Sequence, residues 1–264
     1  MKRTEITAIE NENLPIGILR QIEGARIFDS SSSPEARVYM IDRGANDIFY
    51  LKIAKAKTLE KEALMSDYFH SLSLGAQVIE YASLDSDYLI TRAVKGEDCT
   101  HRDYLSEPER LATLMGTELR RLHEIRDTGC PIKDRTGDYI RAALSNYESG
   151  NYDKSSFPDS FGYKNAADAY RVLTEGMGEL KCDVLIHGDF CLPNIMLYGW
   201  RLSGYIDVGN GGICDRHVDL FWGGWTLWFN LGTDKYRDRF FDAYGRDKIN
   251  TDILGIVAAA EVFG

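Results

Sequence analysis

Two acidic turns, each entered from a short apolar strand, constrain this 264-residue chain more than any other feature. Val184-Leu-Ile186 runs into His187-Gly-Asp189, and Asn194 follows five residues after the Asp. Residues 202–206, apolar at alternate positions, run into Asp207-Val-Gly209. A single Asp or Asn in a glycine-containing loop is commonly a turn former or a helix cap. The ordered set is harder to reduce to turn chemistry, because it delivers two carboxylates and an amide oxygen from separate segments. Such an oxygen-rich set suits phosphoryl transfer, where positioning and charge neutralisation carry the rate. Asp189 has the chemistry to face an acceptor hydroxyl and take or orient its proton. Asn194 and Asp207 offer the hard oxygen ligands that Mg²⁺ requires. Gly209 is expected to let the backbone turn away directly after Asp207. His187, a lone histidine ahead of the acidic residue, reads as structural.

Residues 36–41 and 47–53 are β-branched and aromatic runs joined by hairpin chemistry at Asp42-Arg-Gly-Ala-Asn-Asp47, and residues 88–91 form a further strand. Between them residues 59–72 read as a helix, with Leu64, Tyr68 and Leu72 at fourfold spacing. Beyond about residue 97 the patterns become helical. Ser106-Glu-Pro-Glu109 resembles a capping box ahead of a stripe through Leu111, Met115, Leu119 and Leu122. Thr233 opens and Gly245 closes another helix, and residues 250–263 form a last one. The organisation expected is α+β, with a β-rich lobe over 1–95 followed by a mainly helical lobe over 96–264.

The formal charge of −10 argues against nucleic acid or an anionic membrane as partner, since both call for basic patches. The longest uncharged run, Leu220 to Thr233, is shorter than the ~20 residues of a membrane span and reads as a buried helix. Five cysteines without a C-x-x-C pair disfavour a disulfide framework or a structural zinc site and suggest a reducing compartment. The N-terminus shows no apolar signal region, so a cytoplasmic location is expected. There is no G-x4-G-K-[ST], which excludes a P-loop nucleotide site.

His187-Gly-Asp-Phe-Cys-Leu-Pro-Asn-Ile-Met196 and Ser203-Gly-Tyr-Ile-Asp-Val-Gly209 closely resemble the signature of antibiotic kinases, in particular the aminoglycoside 3′-phosphotransferases and streptomycin kinases. The resemblance extends through Asp215-Arg-His-Val-Asp-Leu220 and the C-terminal Ala-Glu-Val-Phe263, and more weakly into the first lobe. It implies a bilobal protein-kinase-like fold and ATP- and Mg²⁺-dependent phosphorylation of a small-molecule hydroxyl, with an aminoglycoside as acceptor. A kinase for another hydroxylated small molecule, such as a sugar, an amino alcohol or a different antibiotic, stays open, as does a non-catalytic nucleotide-binding module.

The resemblance makes Asp189 the catalytic carboxylate, and Asn194 and Asp207 the metal ligands. It makes Lys52 the nucleotide-phosphate lysine, paired with Glu62 in preference to Glu60. The loop containing Ser32 and Ser33 would donate to phosphate, and the linker backbone at Arg92, Ala93 and Val94 would bond adenine. The acceptor half departs from the pattern. Asn210 stands where the family usually has Arg, and the run 221–230 carries no charge. Trp225 and Phe229 are therefore read either as core or as an aromatic lining of the acceptor site, with Trp222 and Trp228 in the core. Asp189 and Glu261, with Asp153 or Asp159 in the loop before the site, are the carboxylates expected to meet an ammonium group.

Overall fold

The computed structural model describes residues 4–9, 14–30, 33, 35–126, 129–153 and 162–264. The chain divides into two compact units, Met1–Gly96 with Met196–Gly209, and Glu97–Ile195 with Asn210–Gly264. The class is α+β, with a sheet in the N-terminal region and helices in the C-terminal region.

The first unit is built on an antiparallel sheet of β1 (Thr4–Ile6), β2 (Arg26–Asp29), β3 (Ala36–Asp42), β4 (Ile48–Lys55), β5 (Val78–Ser83) and β6 (Ser86–Arg92), in the order β1-β2-β3-β4-β6-β5. Helices α1 (Ile16–Ile22) and α2 (Glu60–Ser71) complete it. Alternation along β4 sends Phe49, Leu51 and Ile53 to one face, where they pack with Ile18, Tyr39, Ile41, Tyr88 and Ile90. The other face holds Leu59, Ala63 and Leu89 with Ala54, and Lys52 shares its side of the strand. The β3–β4 turn forms at the expected residues, with Gly44, Ala45 and Asn46 all left-handed. The buried face of α2 is Ala63, Met65, Ser66 and Phe69, while Leu64 is exposed. The fourfold spacing thus identified the helix but not its inner face.

A contiguous division at residue 95 misses the return of 196–209 to this unit. That segment contains β10 (Leu202–Tyr205), reached through β9 (Ile195–Leu197). Tyr205 fastens it: its N–H donates to Leu74 O at 2.7 Å, and its ring meets Phe69 edge-on at 6.1 Å.

The second unit contains β7 (Glu97–Asp98), α3 (Arg102–Leu105), α4 (Pro108–Glu124), α5 (Arg135–Ser149), α6 (Ala166–Gly176), β8 (Val184–Ile186), β11 (Gly212–Cys214), α7 (His217–Leu231), α8 (Arg237–Tyr244) and α9 (Thr251–Glu261). Its core joins Tyr139 and Ala143 of α5, Ala169 and Leu173 of α6, Val184 and Ile186, Val218 and the apolar side of α9. Strands β8 and β11 pair antiparallel, with Leu185 opposite Ile213. The capping box expected at Ser106–Glu109 is absent. Ser106 closes α3, its hydroxyl donating to Asp103 O, and α4 begins at Pro108 without a side-chain cap. Thr233 does cap, accepting from Lys235 N–H, but it caps a 3₁₀ turn that leads into α8.

Candidate active site

In the first unit three charged side chains converge. The Lys52 ammonium donates to Glu62 Oε2 at 2.7 Å and to Asp207 Oδ1 at 2.7 Å. Burial alone would lower the Lys52 pKa, but Asp207 and Glu62 more than offset it and leave the ammonium raised. Burial raises Glu62, and Lys52 only partly reverses this. Lys52 stands on β4, Glu62 in the first turn of α2, and Asp207 at the end of the strand carried back by 196–209. The pairing with Glu62, in preference to Glu60, agrees with the expected register.

The backbone at this turn differs from expectation. Asp207 itself is left-handed, with φ 60°, a conformation that costs a non-glycine residue energy and is often found at functional sites. Gly209 is not left-handed. Its missing side chain instead admits α2, because a Cβ there would lie 3.2 Å from Glu62 Cβ.

Two other stretches of this unit carry local bonds. The N–H groups of Arg92 and Ala93 already bond Gln77 O and Ile48 O, each at 2.9 Å, and the Arg92 guanidinium bonds Asp47 and lies over Phe49. Sheet pairing has thus taken those two N–H donors. Ser33 turns inward. Its Oγ accepts from Glu35 N–H and Ala36 N–H at 3.2 Å, and its N–H donates to Ala36 O. Ser32 and Asp159 lie outside the described residues.

In the second unit Asn194 Nδ2 donates to Asp189 Oδ2 at 2.8 Å and to Asp189 O at 3.1 Å. Both donors of the amide are spent on Asp189, so its Oδ1 is the atom it can offer a cation. The loop is held from behind by Asp219, fully buried on α7. Asp219 accepts the N–H groups of His187 and Gly188 at 2.7 Å each, and His123 Nε2 lies 3.2 Å away. His187 is fully buried and its Nδ1 accepts from Asp189 N–H, so its role is structural, as the sequence suggested. Gly188 is obligatory on two counts: φ is +85°, and a Cβ would fall 2.0 Å from Asn210 O. Asp219 and His123 were not singled out as site residues. The D-x-x-x-D spacing was the available signal for Asp219, whereas His123 lies 96 residues away in sequence with no local cue.

Beyond that loop α7 presents an aromatic row. Trp222, Trp225 and Phe229 are spaced i, i+3, i+7 and share a face with Thr226, whose hydroxyl accepts from Leu192 N–H in the Asp189 loop at 3.1 Å. Trp225 stacks on Phe229 with centroids 4.9 Å apart and planes 12° apart, and Trp222 meets Trp225 edge-on at 5.3 Å. Phe229 is 62% exposed. Trp222 packs, partly buried, against the core as expected, and it also meets this row and donates its indole N–H to Glu261 Oε1 at 3.1 Å. Glu261 is not an open carboxylate. It is buried, and Tyr139 O–H also donates to its Oε1 at 2.8 Å. Burial raises its pKa to about 7 against the pull of those two bonds, and the nearby charge of Asp189 adds to the rise. Arg135 of α5 bonds the residue at position 210: its Nε donates to Asn210 O at 3.0 Å.

The fold and the two carboxylate-bearing turns define a phosphotransferase of protein-kinase-like architecture. Residues 31–254 match the model of the phosphotransferase enzyme family APH, and the chain belongs to that family. It is similar to the probable aminoglycoside 3′-phosphotransferase of Lactococcus lactis subsp. lactis (strain IL1403), 45% identical over 257 residues and 97% of each chain. Among solved structures it is similar to an aminoglycoside-3′-phosphotransferase of type VIII, at 22% identity, a TM-score of 0.70, and 89% and 91% coverage. A second is aminoglycoside phosphotransferase APH(3″)-Id from Streptomyces rimosus ATCC10970 in complex with ADP and streptomycin, at 20% identity, a TM-score of 0.70, and 86% and 90% coverage. Among the described residues no helix is long and apolar enough to cross a membrane.

Proposed function

We propose that this chain transfers the γ-phosphoryl group of ATP to a hydroxyl of an aminoglycoside, with Mg²⁺, and so confers resistance to that antibiotic. The observation that carries the reading is the Lys52 ammonium held between Glu62 and Asp207, each at 2.7 Å. A cation pinned by two carboxylates on a sheet face is suited to meet nucleotide phosphates, with Glu62 fixing its direction. The relatives named for aminoglycoside phosphorylation, and the one bound to ADP and streptomycin, support the nucleotide and the acceptor class.

Asp189 orients the acceptor hydroxyl and takes its proton as the acceptor oxygen bonds the γ-phosphorus, the bond from that phosphorus to the β–γ bridging oxygen breaks, and ADP leaves. Asn194 restrains that carboxylate through Nδ2, and Asp219 fixes the loop through two backbone N–H groups. The donor set suits a hard cation: the carboxylate of Asp207 and the Oδ1 of Asn194 would hold Mg²⁺. When bound, the ion neutralises phosphate charge. The residues that a non-catalytic nucleotide binder would have no need of, Asp189 and Asn194, are present and bonded to each other.

An ADP-release assay across aminoglycosides, other antibiotics and small alcohols tests the reading. Turnover is expected with aminoglycosides, and Asp189→Asn should bind nucleotide yet lose about 10²–10⁴-fold in turnover. Nucleotide binding with no turnover on any acceptor, or near-normal kcat in Asp189→Asn, would overturn it.

A further inference from the structure

Helix α2 has no cap from its own sequence, because its N-cap residue is Leu59. The acceptor comes from a separate strand. Asp87, on β6 and fully buried, takes Leu59 N–H on Oδ2 at 2.8 Å and Lys57 N–H on Oδ1 at 2.9 Å. The Tyr81 hydroxyl adds a third bond to Oδ2 at 3.2 Å. Burial disfavours the charge, but these bonds and one from Ser83 hold the carboxyl below its usual range. An anion therefore sits at the positive end of the α2 dipole. Lys57 is itself left-handed, with φ 68°, a conformation that persists only where its surroundings over-determine it.

The placement of Asp87 is specific. In the β4–β6 ladder Leu89 lies opposite Lys52, and Asp87 lies opposite Ala54. One ladder thus carries both the phosphate-facing lysine and the anchor of the helix that brings Glu62 to it. Lys52 and Glu62 are ten positions apart, and the chain between them reverses direction through the two N–H groups that Asp87 holds.

We propose that Asp87 is a positioning residue for Lys52: by fixing the first turn of α2 it sets the Glu62 carboxylate against the Lys52 ammonium. The inference rests on the reading of Lys52 as the nucleotide-phosphate ligand. A residue that merely caps a helix would affect stability alone, whereas a positioning residue must act on nucleotide affinity through Glu62.

The test is ADP affinity by calorimetry on the full chain, with acceptor KM measured alongside. Asp87→Asn keeps the size of the side chain but removes its charge and turns an NH₂ toward a backbone donor. It is expected to weaken ADP binding roughly five- to tenfold and leave the acceptor KM unchanged. In a Glu62→Gln background the same substitution should add no further loss, since the carboxylate it positions is gone. Ile27→Ala on β2, away from the β4–β6 ladder, supplies a comparable loss of Tm without loss of ADP affinity. If Asp87→Asn fails to fold, Tyr81→Phe removes one of the bonds and should give a smaller loss, again cancelled by Glu62→Gln. An unchanged ADP affinity in the folded variant, or an equal loss with and without Glu62, would overturn the proposal. Lys52→Ala separates the two levels. If it weakens ADP binding while the Asp87 variant does not, only this inference fails. If it has no effect, the reading of Lys52 falls first.

Discussion

Replacing Lys52 by Met separates what the ammonium does for the fold from what it does for the nucleotide. The ammonium lies 2.7 Å from both carboxylates, and the side chains of Lys52, Glu62 and Asp207 are 22%, 14% and 52% exposed. Removing one partner of a fully buried ion pair costs about 3–5 kcal/mol. An exposed pair is worth about 0–1 kcal/mol. Glu62 is close to the first case and Asp207 to the second, so Lys52→Met should cost about 2 kcal/mol, or about 4–8 °C in Tm for a chain of this size. The double variant Lys52→Met/Glu62→Gln removes the stranded charge and should regain most of that Tm in differential scanning calorimetry. It should not regain ATP use. Loss of a charge-assisted phosphate contact, worth about 1.5–3 kcal/mol, leaves kcat/KM for ATP down by roughly 10–100-fold in both variants. If the double variant recovers ATP kcat/KM along with Tm, Lys52 serves only to neutralise Glu62 and the phosphate role is wrong.

Asp207→Ala should abolish productive Mg²⁺–nucleotide binding and Asn194→Ala should weaken it, because a carboxylate holds a cation with charge and an amide with a dipole; Mg²⁺ titration of turnover checks both. Glu261, raised from 4.5 to about 7 by burial, keeps a proton in the folded chain that the unfolded chain releases, so this group erodes stability as pH rises from about 4.5 to about 7, by up to roughly 3 kcal/mol. Glu261→Gln retains an acceptor for Tyr139 and Trp222 and should flatten Tm across that window; an undiminished slope would place the titration elsewhere. Trp225→Ala should raise the acceptor KM more than the ATP KM, and equal changes in both would assign the aromatic row to packing.

The two acidic turns were legible in the sequence because their chemistry is local. His187 to Asn194 and Asp207 to Gly209 each lie within a few residues, and a strand flanking each is marked by its own apolar run. The choice of Glu62 over Glu60 came from the family resemblance, and the Lys52–Glu62 bond at 2.7 Å agrees with it. Other features depended on contacts between distant segments. Ser33 was readable as a loop serine, but only the fold showed its hydroxyl committed to that loop's own backbone. Arg92 and Ala93 were readable as linker residues, but their N–H groups belong to partners at Gln77 and Ile48. The helical wheel places Trp222 toward the core, where it packs, but its bond to Glu261 spans 39 residues and has no local cue.

By itself the sequence determined where the candidate acidic residues Asp189, Asn194 and Asp207 stand, because each belongs to a short motif beside a strand. Tertiary structure alone decided the supports that have no local cue: His123 beside Asp219 beneath the Asp189 loop, Asp87 at the head of α2, and Arg135 beside Asn210. A buried carboxylate is held wherever donors converge in space, and that convergence has no period or spacing along the chain.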